Sequence, residues 1–166
     1  MPATSLSRRR SALSRHALHA LIRIRKTVRL PLDTPVLYNY LLHPANIAEY
    51  VGPIRRIRPA GSAAVKAGTR LYVDVRFLGI VFTQEAECTL YEPPVRFQCH
   101  SIGGRFTFEA GFTLYPAPLG TRLEGWGDAS APSLFRFAEP AVQFFMERQV
   151  DRDFERLRET LGRDQL

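Results

Sequence analysis

Apolar residues recur at every second position through much of this chain, and then at every third or fourth position near its C-terminal end. A two-residue period indicates half-buried strands, and it is clearest within residues 105–115. One face of that segment carries Phe106, Phe108, Ala110, Phe112 and Leu114. The later period, through residues 142–161, predicts an amphipathic helix of about 20 residues, long enough to cross a whole sheet.

Breaks rich in proline and glycine divide the alternating region into strands. Successive strands joined by short turns must run antiparallel. We place seven strands, at residues 21–30, 54–58, 69–78, 80–91, 95–102, 105–115 and 121–129. Two short helices follow the first strand, one over Pro35–Leu42 and one opened by Pro44 and running to Tyr50. Asp33 or Thr34 is placed to cap the first of them.

Bulk composition favours one globular domain. The 166 residues are 45% hydrophobic and 23% charged, which is too apolar for a disordered chain. No apolar run reaches the roughly 18 residues of a membrane span, and no secretory signal follows the basic start, so we expect a cytoplasmic protein. The two cysteines, Cys88 and Cys99, are too few for a disulfide scaffold, and we expect them to face each other as free thiols.

The net charge of +7 is concentrated at the N-terminus. Residues 1–17 hold four arginines and no acids, which leaves the remainder of the chain at only +3. We therefore expect a flexible basic tail at 1–17 and one folded domain at 18–166. The tail is read first as a solvated segment, with weak contact to a membrane surface or nucleic acid, or a targeting role, as alternatives. A body so nearly neutral argues against nucleic acid as the main partner.

Several segments resemble the START-like superfamily, specifically SRPBCC proteins of the polyketide cyclase/dehydrase type. They are LPLDTPVLYNYLLHPANIAEYV, AGTRLYVDVRFLGIVF, LYEPPVRFQCHS, LGTRLEG and ERQVDRDFERLRETL, in this order over roughly residues 20–162. The resemblance implies an α+β helix-grip fold, a seven-stranded antiparallel sheet wrapped around a long C-terminal helix with a hydrophobic cavity between. It also implies that Tyr50 packs the second short helix where many relatives have tryptophan. Such proteins bind lipids, polyketides or similar molecules, and a minority are enzymes.

The inward faces supply candidate cavity residues. Gln84 and Ser101 are the polar members, and one or the other is expected to hydrogen-bond a ligand. Trp126 is expected at the rim, as a packing residue or a stacking platform. The remaining candidates for the lining are apolar or weakly polar: Phe82, Cys99, Phe108, Ala110, Phe112, Phe145 and Met146.

Ionisable side chains give little sign of catalysis or metal binding. His100 and the acidic residues of the strands fall on the outward register. The histidines show no metal-ligand spacing, and we expect no metal and no cofactor. The sequence thus predicts a monomeric or homodimeric carrier of a hydrophobic small molecule. A cyclase/dehydrase-like enzyme using the same cavity is the alternative, and no catalytic residue is assigned.

Overall fold

A computed structural model describes residues 22–62, 64–77, 79–130 and 139–163. The proposed basic tail lies outside these residues. The elements run in the expected order: β1 (Ile22–Leu30), α1 (Thr34–Leu42), α2 (Pro44–Tyr50), β2 (Ile54–Pro59), β3 (Arg70–Phe77), β4 (Ile80–Glu92), β5 (Arg96–Gly103), β6 (Thr107–Ala117), β7 (Gly120–Ser130) and α3 (Glu139–Arg163). The predicted α+β helix-grip architecture is confirmed, with α3 extending to 25 residues.

All seven strands form one antiparallel sheet in the order β1-β7-β6-β5-β4-β3-β2. The first strand pairs with the last, from Ile22 opposite Ala129 to Leu30 opposite Thr121. Strands β1 and β2 are therefore the two edges, and α1 and α2 carry the chain from one edge to the other. Among the described helices, none is long and apolar enough to cross a membrane.

Helix α1 begins as predicted at Thr34–Pro35, but its capping is different. Neither Asp33 nor Thr34 makes a side-chain hydrogen bond to the free amides of the first turn. The Thr34 hydroxyl instead bonds the Thr121 hydroxyl at 3.0 Å, and Thr121 donates to the Leu32 carbonyl at 2.7 Å. The buried threonine pair ties the start of α1 to β7.

The core occupies one end of the space between sheet and helices. Its buried members come from β1, α1, β6, β7 and the C-terminal half of α3: Leu30, Leu37, Tyr38, Leu41, Leu114, Leu123, Leu157 and Leu161. The Tyr38 hydroxyl donates to the Arg96 carbonyl at 3.0 Å, and its ring meets Tyr91 and Phe112 edge-on. This end of the molecule is filled.

Strand β4 contains a bulge that alternation alone does not predict. Cys88 lies opposite Cys99, as expected, but beyond Thr89 the pairing shifts so that Leu90 faces Gln98 and Tyr91 faces Phe97. The uniform antiparallel register in which Cys88 faces Cys99 would pair Leu90 with Phe97, and the bulge shifts this pairing by one residue. An extra residue reverses the facing of everything after it, so Tyr91 packs on the core in place of Leu90.

Candidate functional site

The other end of the interior is a cavity of about 410 Å³. Its floor is the inner face of β5, β6 and β7, its roof is the middle of α3, from Met146 to Leu157, and α2 and β2 close one side. The floor leaves room for the cavity because Ala110 on β6 pairs with Gly127 on β7. Alanine has a small side chain and glycine has none, so the space above the sheet stays open there. The helices, the α2–β2 connection and β2 contribute further lining residues: Leu41, Leu42, Ile47, Tyr50, Val51, Ile54, Ile57, Met146, Val150, Phe154 and Leu157.

A second compartment of about 170 Å³ adjoins the main cavity. The two share Ile22, Phe108, Ala129 and Met146 as lining residues. The smaller space is bounded by an aromatic cluster in which Phe106 packs on Phe77 and Phe82, with ring centroids 5.6 and 5.4 Å apart. The cluster and the main cavity together make this half of the interior apolar.

The structure brings most of the expected lining residues together. Cys99, Ala110 and Phe112 border the main cavity, Phe82 borders the second compartment, and Phe108 and Met146 border both. Phe145 lies elsewhere: its side chain is 44% exposed and meets Phe77 edge-on, outside the lining of either space.

Gln84 lies against the second compartment, but its amide is fully occupied. Its Nε2 donates to the carbonyls of Gly103 and Phe106, and its Oε1 accepts from the amides of Arg105 and Phe106 at 3.0 and 3.2 Å. Two donors and two acceptors are all that a glutamine amide offers. Gln84 therefore holds the β5–β6 turn and has no hydrogen bond left for a ligand.

Ser101 has a structural partner as well. Its hydroxyl oxygen accepts from the Phe108 amide at 2.9 Å, across the irregular end of the β5–β6 pairing. The residue is absent from the lining of both spaces. Gln84 and Ser101 were expected to hydrogen-bond a ligand. In the structure both side chains hydrogen-bond the backbone of the β5–β6 region instead.

Trp126 lies with its ring on the outer face of the sheet. It pairs with Arg25 on β1 and Gly111 on β6, and the Arg25 guanidinium stacks 5.6 Å from the ring centroid. Arg25 also forms a bidentate ion pair with Asp128, at 2.7 and 2.9 Å. The residue therefore borders the cavity through its backbone. In the sequence, Trp126 lies two residues from both Glu124 and Asp128. Strand alternation therefore places its side chain on the same outer face as theirs.

Tyr50 performs the packing role expected of it. Its ring stacks on Tyr40, 6.3 Å between centroids, and its hydroxyl donates to the Leu41 carbonyl at 2.8 Å. These contacts join α2 to α1. Burial raises the pKa of the Tyr50 hydroxyl above its ordinary value, so the phenol stays neutral.

The two thiols are free neighbours on the inner face. Burial raises the pKa of Cys99 to about 12, with the neighbouring Cys88 adding to the effect, and burial also raises the pKa of Cys88. Because the thiolate is the reactive form, both side chains behave as small hydrophobes at neutral pH.

Asp153 is the residue that the sequence reading missed. It lies on the inner face of α3, only 7% exposed, and borders the main cavity. Its Oδ1 accepts from the Gly52 amide at 3.1 Å and from Gln149 Nε2 at 2.8 Å. Burial raises its pKa, and those hydrogen bonds together with Arg156 and Arg152 oppose the rise. The signal was its spacing, three residues after Val150 and four before Leu157.

Glu109, opposite Asp128 on the outer register of β6 and β7, also borders the main cavity. The other ionisable groups expected to point outward are absent from the lining of both spaces. Asp74 accepts from Thr83 at 2.8 Å, and His100 lies between Glu87 and Glu109 in the cross-strand register. Within the described ranges, no three histidine, cysteine or acidic side chains gather as a metal site would require.

No family model and no curated protein matches this chain. Solved structures do. A START superfamily protein from Mycobacterium smegmatis superposes with a TM-score of 0.68 at 13% identity, over 85% of this chain and 97% of that one. A protein from Thermus thermophilus gives a TM-score of 0.68 at 18% identity, over 86% of this chain and 98% of that one.

The di-domain aromatase/cyclase StfQ from the steffimycin biosynthetic pathway is a third similar structure. Its TM-score is 0.66 at 10% identity, over 86% of this chain and 52% of that one. At such identities the likeness concerns the backbone and not the chemistry. The START-like helix-grip fold expected from the sequence is confirmed.

Proposed function

We propose that this protein binds a hydrophobic small molecule in the cavity between the sheet and α3. The observation that carries the proposal is the main cavity itself, about 410 Å³ and bordered by apolar side chains from both layers. Binding sites for drug-sized molecules commonly occupy about 300 to 1,000 Å³ with such a lining. Close-packed interiors, in contrast, leave few voids larger than one water molecule. The space therefore has the size and chemistry of a ligand site.

Burial of apolar surface would supply the binding energy. At about 25 cal/mol per Å², a ligand that buries roughly 300 Å² of apolar surface gains about 7 kcal/mol before the entropic costs of association. Aromatic walls such as Phe108, Phe112 and Phe154 favour a flat or ring-containing molecule, because offset ring packing adds to the area term. A polyketide-like or lipid-like ligand fits this description.

A cyclase/dehydrase-like enzyme is the alternative, supported by the fold it shares with StfQ. Such a reaction could rely largely on holding a reactive chain in one folded shape. General acid-base or nucleophilic catalysis would need more, namely paired groups within reach of each other. The other carboxyl residues of the lining, Glu109 and Asp128, lie on the outer register of the sheet, so none shares the inner face with Asp153, and the Cys99 thiol is kept protonated. Binding without turnover is the better-supported function.

Titration with N-phenyl-1-naphthylamine, a neutral apolar dye, tests the proposal. We expect saturable binding of about one dye per native chain and loss of the signal in urea. Native mass spectrometry of freshly purified protein should also reveal a co-purified molecule and its mass. A dye signal that never saturates, together with a bare protein mass, would show that the cavity is not a binding site.

A further inference from the structure

A single acidic side chain lies on an otherwise apolar face of α3. Asp153 follows Met146 and Val150 on the inner face and precedes Leu157, so helical geometry directs it toward the sheet with them. Buried carboxylates are costly unless hydrogen bonds compensate them. Solubility therefore does not explain why a carboxyl group stands in this buried position.

One part of that account is structural. The Gly52 amide and Gln149 Nε2 both donate to Oδ1, and they join the α2–β2 connection to α3. A Cβ on residue 52 would come within 2.5 Å of Gln149 Nε2 and 3.1 Å of Asp153 Oδ1, so glycine permits this close approach. The same two bonds fix the orientation of the carboxyl group. Among the hydrogen bonds of the described residues, Oδ2 receives none, and it is the oxygen left for another donor.

We propose that Asp153 is the polar anchor of the ligand, and that the cavity consequently selects apolar molecules carrying a hydroxyl group, such as phenols. This inference rests on the proposed binding function. A carboxylate accepts hydrogen bonds and cannot donate them, so a hydroxyl satisfies it whereas an ether or carbonyl does not. A fixed acceptor also needs no reorganisation when the ligand arrives.

Three other polar side chains near the cavity, those of Gln84, Tyr50 and Asp128, have partners within the protein. Gln84 spends its whole amide on the β5–β6 turn, and the Tyr50 hydroxyl donates to the Leu41 carbonyl. Glu109 and Asp128 share the outer register with Trp126, and Asp128 is paired with Arg25. Among the described lining residues, Asp153 is the carboxyl that lies on an inward face.

Competition against bound N-phenyl-1-naphthylamine tests this selectivity with two matched probes. 2-Naphthol donates a hydrogen bond, whereas 2-methoxynaphthalene can only accept one. Because a hydrogen bond to a charged group contributes about 1.5 to 3 kcal/mol, we expect the wild type to prefer 2-naphthol by roughly 10-fold or more. Asp153→Asn keeps an oxygen for Gly52 and Gln149 but presents an N–H₂ group in place of Oδ2, so the preference should disappear or reverse.

Asp151→Asn is the matched control, since it makes the same change on the same helix at an exposed residue that pairs with Lys26. It should keep the wild-type preference. Wild-type protein that binds the dye yet shows equal affinity for the two probes would overturn the anchor and leave the binding function standing. Failure of the dye to bind would overturn the binding function itself. Equal loss of both probes in Asp153→Asn, with a lower melting temperature, would assign Asp153 a purely structural role.

Discussion

A large side chain introduced on the floor of the cavity tests whether the interior is open or close-packed. Ala110 lies on the inner face of β6 between Cys99 and Gly127, and the cavity stands above it. In Ala110→Trp, an indole that buries half of its roughly 200 Å² would gain about 2.5 kcal/mol. The gain offsets about 1 to 2 kcal/mol of lost side-chain entropy. The free energy of unfolding should therefore stay within about 1.5 kcal/mol of the wild-type value, while dye affinity falls at least about 10-fold because the ring occupies the ligand's space.

Ala86→Trp is the control, because Ala86 is 1% exposed and packs against Leu71 and Val73 on the same face of the sheet. Overpacking a filled core typically costs about 1 to 3 kcal/mol, and an indole is at the upper end of such changes. Urea unfolding of both variants gives the two free energies, and dye titration gives the affinities. An Ala110→Trp variant that loses as much stability as Ala86→Trp would mean a solid interior, and the reasoning would be refuted.

Three further outcomes follow from the contacts of single side chains. Gln84→Leu should lower the free energy of unfolding by at least about 2 kcal/mol in urea, because it leaves several backbone groups of the β5–β6 turn unpaired, whereas dye affinity changes little. An equal loss in Gln98→Leu, on the outer face, would contradict that assignment. Cys88 and Cys99 should react slowly with a thiol reagent in native protein at pH 7, because burial raises both pKa values and the thiolate forms only as the pH rises toward them. In urea, two equivalents of thiol per chain should react. Zero equivalents without reductant would indicate a disulfide. Trp126→Phe should leave dye affinity unchanged, since the ring lies outside the sheet; a several-fold loss would place it in the site.

Local pattern determined which residues form which elements. Alternation in β1 places Ile22, Ile24 and Val28 inward and the arginines between them outward, and the same rule holds along β6. The rule works because successive strand residues must point to opposite faces. The switch to a helical period at the C-terminus has an equally local origin. The succession of strands along the chain, the two short helices and the long helix are accordingly readable from local pattern, whereas the pairing of β1 with β7 is not.

Alternation fails to predict which face of the sheet a side chain occupies wherever a strand is irregular. The bulge at Thr89 inserts one residue into β4, and Tyr91 enters the core in place of Leu90. Nothing in the composition of this segment signals the insertion, because it depends on how β4 and β5 twist against each other. Between the turn and the bulge the pairing is shifted by one residue, with Tyr91 opposite Phe97, and the extra residue at Thr89 restores the register in which Cys88 faces Cys99.

The chemistry of the site was decided by partners distant in sequence. Gln84 and Ser101 look available on their strands, but the turn at 103–106 and the Phe108 amide occupy them. Asp153 gains its orientation from Gly52, about a hundred residues earlier in the chain. Hydrogen-bond satisfaction is a property of the whole surroundings of a group, so periodicity can assign a residue to a face without showing what its polar atoms are free to bind. The cavity likewise depends on the distance between sheet and helix, which only the packed tertiary structure fixes.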